Sequence, residues 1–171
     1  MADTKISHLG INLKVRDFEK SRAFYEAFGF QKLFEFGPDV EEHSKFRGIF
    51  YQVGDSLLEV SEGHMAVKPE VFEAPVQSSK VSLMVYVESL IPVLDTCEEQ
   101  QIEISVEPRQ FPWGQIGVAV KDPDGLVIVF LSEAVAEEQQ QMQARMDIPL
   151  VRDEPDYSDE HVLAVQRRSG K

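Results

Sequence analysis

Apolar and polar positions alternate with a period of two over residues 6–14, where Leu9, Ile11 and Leu13 interleave with His8, Gly10 and Asn12. That period is the mark of a strand with one covered face. The same reading predicts strands at 31–36, 46–53 and 56–62, and again at 80–87, 103–107, 115–121 and 126–132. Amphipathic stretches at 17–28 and 89–100 predict helices, with Asp17 and Ser89 as their N-caps. Gly54-Asp55 and Asp122-Pro-Asp-Gly125 mark hairpin turns. The two halves therefore share a layout, with Lys14–Phe30 answering Tyr86–Ile102 at an offset of about 72 residues. Pseudo-symmetric modules put any site where the two face each other.

Strand parity divides the side chains between two faces. Leu9, Ile11, Leu13, Leu58, Val60, Leu83, Val85, Val87, Ile128 and Phe130 fall on one, which the helices should cover. His8, Gly10, Asn12, Leu57, Glu59, Ser61, Ser82, Met84, Tyr86, Val127, Val129 and Leu131 fall on the other. A mixed inward face suits a curved sheet around a cavity that holds a small molecule. The fold class expected is α+β, with two βαβββ modules at 5–62 and 80–133, a linker at 63–79 and a C-terminal extension at 134–171. Ala134–Met146 reads as an exposed or partner-packed helix, Asp147–Tyr157 as irregular, and Ser158-Asp-Glu-His as the cap of a short helix ending at Arg168.

Composition narrows the classes. The chain has 171 residues, 43% of them apolar, and no apolar run long enough to span a bilayer. No basic segment followed by an apolar h-region opens it, and Cys97 is its one cysteine, so a cytoplasmic, reducing location is expected. Cys97 reads as a small core side chain on a helix, with no basic residue or histidine near it in sequence to activate a thiolate. A net charge of −13 argues against nucleic acid and anionic membrane as partners. Open sheet edges predict a homodimer.

Three segments carry a resemblance: HLGINLKVRDFEKSRAFYEAFGF, the LLEV strand after Gly54-Asp55, and FPWGQIGVAVKDPDGLVIVFL. Together they resemble the vicinal oxygen chelate superfamily of glyoxalase I, extradiol dioxygenases, fosfomycin-resistance enzymes and bleomycin-resistance proteins, over residues 5 to about 133. The resemblance implies a paired βαβββ fold, often homodimeric, cupping a ligand or metal. It further implies His or Glu ligands on the first and last strand of each module. Carried over, those positions are Gly10, Glu59, Ser82 and Val129, of which only Glu59 fits. Catalytic zinc and related metals need at least three protein donors, which Gly and Val cannot supply. His8 has the parity of Gly10 but lies roughly 6.6 Å from it along a strand. His43, His64 and His161 read as surface residues of loops and tail.

Glu59 on an inward face must be hydrated, paired or protonated. It is read as a binder of a cationic or donor group, as a general base, or as the partner of Arg47 or Arg109. Phe111 and Trp113 are read either as an aromatic wall or as a loop packed on a dimer partner. The first hypothesis is a binding module of the bleomycin-resistance type. In it His8, Asn12, Glu59, Ser82, Met84, Tyr86 and Trp113 orient a small, aromatic or cationic molecule in a largely metal-free cavity, with no cofactor. The second is a glyoxalase- or dioxygenase-like lyase or oxidoreductase whose divalent metal is held by a shifted set including His8 and Glu59.

Overall fold

A computed structural model describes residues 10–39, 45–63, 70, 75, 81–111, 114–133, 136–146 and 151–152. The protein is α+β, and its chain divides into two compact units, Met1–Ser78 with Asp122–Gly125, and Ser79–Lys121 with Leu126–Lys171. No helix among the described residues is long and apolar enough to cross a membrane.

The first unit runs β1 (Gly10–Lys14), α1 (Phe18–Ala27), β2 (Gln31–Phe36), β3 (Gly48–Val53) and β4 (Ser56–Ser61), with sheet order β1-β4-β3-β2. β1 lies parallel to β4 and the other pairs are antiparallel. Asp17 caps α1 as expected, its carboxylate accepting from the Lys20 backbone N–H at 3.1 Å. The Lys20 ammonium, 3.0 Å from the other carboxylate oxygen, and after it this backbone bond hold the Asp17 carboxyl below its ordinary value. The helix ends at Gly29, whose φ of 79° and bond to the Glu26 carbonyl stop further turns. The buried side of α1 sets Phe24 and Tyr25 against Phe30, Ile49, Tyr51, Leu58 and Val60, with edge-on ring contacts around Tyr25. Arg47 lies 4.7 Å above the Phe18 ring and pairs with Glu62 at 2.7 Å and Glu19 at 2.8 Å.

The Asp122–Gly125 turn belongs to this unit although it lies far on in the chain. Asp122 accepts the Tyr25 hydroxyl at 2.9 Å and, through its other oxygen, the Asp124 N–H at 2.9 Å. Asp124 in turn accepts both the backbone N–H and the guanidinium of Arg16. Gly125, at φ 93°, closes the turn onto the Asp122 carbonyl. Both carboxylates are buried and both have partners.

The second unit runs β5 (Ser82–Tyr86), α2 (Ile91–Glu99), β6 (Ile104–Gln110), β7 (Gln115–Lys121), β8 (Val127–Glu133), α3 (Ala136–Met146) and β9 (Val151–Arg152), in the order β5-β8-β7-β6-β9. Its core is built from Val93, Leu94 and Cys97 of α2 and from Leu83, Ile116, Val118, Val120, Ile128 and Phe130 of the sheet. Cys97 is buried, and burial pushes its thiol above the ordinary value, which suits a packing role. Three expectations are corrected. Leu90, not Ser89, is the N-cap of α2, although the Ser89 hydroxyl does accept the Ile91 N–H at 3.1 Å. β6 runs past 107 to Gln110, because register shifts around Pro108 let the strand absorb a residue with no N–H. Within the stretch read as irregular, β9 pairs in parallel with β6 at Arg109 and Gln110. Most of the 63–79 linker and the helix expected at 158–168 lie outside the described residues.

Candidate functional site

The register of the first sheet keeps the expected division into two faces, but Ile11, expected to be covered, is 41% exposed, and Ser61 on the other face is buried. Register puts Asn12 opposite Glu59, Glu59 opposite Phe50, and Phe50 opposite Phe34, so these four side chains form one row across all four strands. The next row is Lys14, Ser61, Gly48 and Phe36. Helix α1 covers the other face, through Leu58 and Val60. Phe34 and Phe50 stack at 4.7 Å between ring centroids, inclined by 22°, and Phe36 stands 6.0 Å from Phe50. Gly48 makes room for Phe36, since a Cβ there would enter the ring. Phe34 is 52% exposed, an unusual amount of ring to leave open.

Beside the rings sits a polar group of three. The Lys14 ammonium meets Glu59 Oε1 at 3.2 Å and also bonds Ser61 Oγ, and the Ser61 hydroxyl lies 3.2 Å from the same Glu59 oxygen. The side chains of Lys14 and Glu59 are only 13% and 19% exposed, which makes the pair far better shielded than an ordinary surface salt bridge. Glu59 is therefore paired with Lys14. Arg47, one of the partners expected for Glu59, is instead held by Glu19 and Glu62.

Ser82, Met84 and Tyr86 share the open face of the second sheet, opposite Val127, Val129 and Leu131. Met84 is 54% and Tyr86 65% exposed. That face continues through Gly117 and Ala119 of β7, and it also carries Lys121 opposite Val127 and, on β6, Arg109 opposite Gly117. On its helix side the second unit has a groove of about 470 Å³ bordered by Leu94, Cys97, Ile102, Ile104 and three glutamates, Glu98, Glu103 and Glu107. Trp113 and His8 lie outside the described residues, as do His43, His64 and His161. Of the expected residues, the structure brings Asn12 and Glu59 together on one sheet and Ser82, Met84 and Tyr86 on the other. Sequence reasoning missed Lys14, Phe34 and Phe50. Lys14 was legible, two residues past Asn12 with the same parity, whereas Phe34 was hidden by a register shift between Lys32 and Phe34.

These paired βαβββ units are the setting for the comparison with known proteins. The Glyoxalase/Bleomycin resistance protein/Dioxygenase superfamily profile matches residues 5–130. The chain belongs to this superfamily. Solved structures agree on the fold. A hypothetical protein from S. aureus is 25% identical, with a TM-score of 0.57, over 75% of this chain and 95% of that one. A glyoxalase family protein from Enterococcus faecalis is 22% identical, with a TM-score of 0.52, over 75% and 97%. The fosfomycin resistance protein FosX from Listeria monocytogenes, solved with Mn(II) and sulfate, is 17% identical, with a TM-score of 0.53, over 81% and 99%. No curated protein sequence matches the chain significantly.

The superfamily's metal positions can now be tested against the residues present. Glu59 offers a carboxylate, but an ammonium and a hydroxyl already occupy one of its oxygens. Gly10 and Val129 present no donor atom, and Ser82 offers a single hydroxyl on an edge strand. Among the described residues no group of three His, Cys, Asp or Glu side chains could hold a metal ion. The described residues do not fit a superfamily metal site.

Proposed function

We propose that this chain is a small-molecule-binding member of the superfamily, receiving a flat, partly aromatic molecule on the open face of the first sheet without a metal. The observation that carries the reading is the row Asn12, Glu59, Phe50 and Phe34, in which an exposed ring stack adjoins polar groups held at fixed positions. Apolar area supplies most of the affinity in such sites, and a few polar atoms fix orientation. Phe34 is well placed for stacking because its ring is already half open and ordered against Phe50.

Titration of the isotope-labelled protein with quinoline and with N-methylquinolinium tests this. Saturable shifts are expected at the backbone amides of Asn12, Phe34, Phe50 and Glu59. Phe50→Ala is expected to weaken binding by at least about tenfold, the loss of one good stacking partner and its buried area. Shifts scattered over the surface, or an affinity indifferent to Phe50→Ala, would contradict the reading.

A further inference from the structure

Resting on the binding reading above, we propose that Lys14 takes the place of the metal as the electropositive centre of this face. The ligand class it selects is then a flat aromatic molecule bearing a carbonyl, hydroxyl or carboxylate oxygen, and not an organic cation. A lone Glu59 would favour a cation. It is not alone, since the Lys14 ammonium sits 3.2 Å from Glu59 Oε1 and cancels its charge. A cationic ligand approaching that carboxylate meets the ammonium within a few ångströms, and the repulsion offsets the attraction.

Donor counting points the same way. An ammonium carries three N–H groups. Lys14 directs one to Glu59 and one to Ser61. Among the described residues no acceptor takes the third, which can donate to a ligand from a cation that two acceptors hold in place on a sheet. Asn12, opposite Glu59 and exposed, adds an amide that matches a carbonyl or hydroxyl as donor or acceptor. A ring stacked on Phe34 and Phe50 with an oxygen directed along the row toward Lys14 satisfies both parts at once. A positioned ammonium can do for a ligand oxygen part of what a bound divalent cation does, which is to attract its lone pairs.

The test uses three ligands that differ only in their head group: 2-naphthamide, 2-naphthoate and 2-naphthamidinium, measured by calorimetry on the full chain. The wild type is expected to bind the amide and carboxylate at least about tenfold more tightly than the amidinium. Lys14→Met is expected to weaken those two by at least about tenfold and to make the amidinium the tightest, since Glu59 is then uncompensated. Because Lys14→Met leaves the shielded Glu59 carboxylate without its ammonium, at a cost in stability, Lys14→Met with Glu59→Gln provides a neutral pair of similar size. It is expected to abolish the ranking while stacking remains. An amidinium preference in the wild type, or a ranking unchanged by either variant, overturns the proposal while leaving the binding face intact. No saturable binding of any of the three overturns the binding reading and this inference with it.

Discussion

Replacing Asp122 by alanine is expected to destabilise the protein by about 3 kcal/mol, the cost of leaving a buried donor unpaired and a charged acceptor lost. Asp122 is nearly enclosed, and its two oxygens serve the Tyr25 hydroxyl and the Asp124 N–H, both at 2.9 Å. Tyr25 has no exposed surface, so water cannot replace the lost acceptor. The turn is also anchored by Arg16 through Asp124, so its release would uncover part of α1 and the start of the first unit's core. In a chain of this size the loss corresponds to a fall in Tm of about 6–12 °C. Denaturant midpoints of Asp122→Ala, Tyr25→Phe and the double variant check the assignment. The double variant should lose clearly less than the sum of the singles, as contacting partners do. A loss below about 1 kcal/mol for Asp122→Ala would show that the turn is not a structural anchor.

Raising the pH is expected to unfold the protein through Tyr25 and Tyr51. Burial, and next to it the Asp122 charge, hold the Tyr25 hydroxyl far above its ordinary value. Burial first, then the Glu26 charge, push Tyr51 up to about 12. In the unfolded chain both titrate near 10. The folded state therefore binds protons that the unfolded state has released, and stability falls with pH in that interval. The contribution is fully present below about pH 10 and is lost as the pH rises through about 12. Tyrosinate absorbance and near-ultraviolet circular dichroism should therefore change together. Independent ionisation of both residues near pH 10 with the fold intact would contradict the burial argument. The two hydroxyls differ in one respect: Tyr51 Oη is buried with no hydrogen-bond partner among the described residues. Tyr51→Phe should accordingly be neutral or slightly stabilising, and Tyr25→Phe should not.

Local pattern revealed what local physics decides. The Ile11, Leu13 alternation announced a strand, Asp17 announced a helix start, and Asp-Pro-Asp-Gly announced a turn, because each signal acts within a few residues. Asn12 and Glu59 could be set on the same face by parity alone. What pairs with what was not legible, because it depends on register between distant segments. Lys14 and Glu59 are 45 residues apart, and Tyr25 and Asp122 are 97 apart. The charge of Glu59 thus invited a guess at arginine partners, whereas the parallel β1–β4 register sets Lys14 beside it. Phe34 escaped because the register shift after Lys32 breaks the two-residue count that assigns faces. Pro108 and the β9 pairing were missed for a related reason, since a bulged strand and a two-residue edge strand carry almost no periodic signal.

The proposal that Lys14, and not a metal ion, is the partner of Glu59 is tested most directly by metal content. Protein purified without chelator or nickel affinity resin and analysed by mass spectrometry for nickel, zinc, iron and manganese is expected to carry well under one equivalent of each. Stoichiometric, tightly held metal that disappears in Glu59→Ala would contradict the account and return the chain to the metal-dependent side of its superfamily.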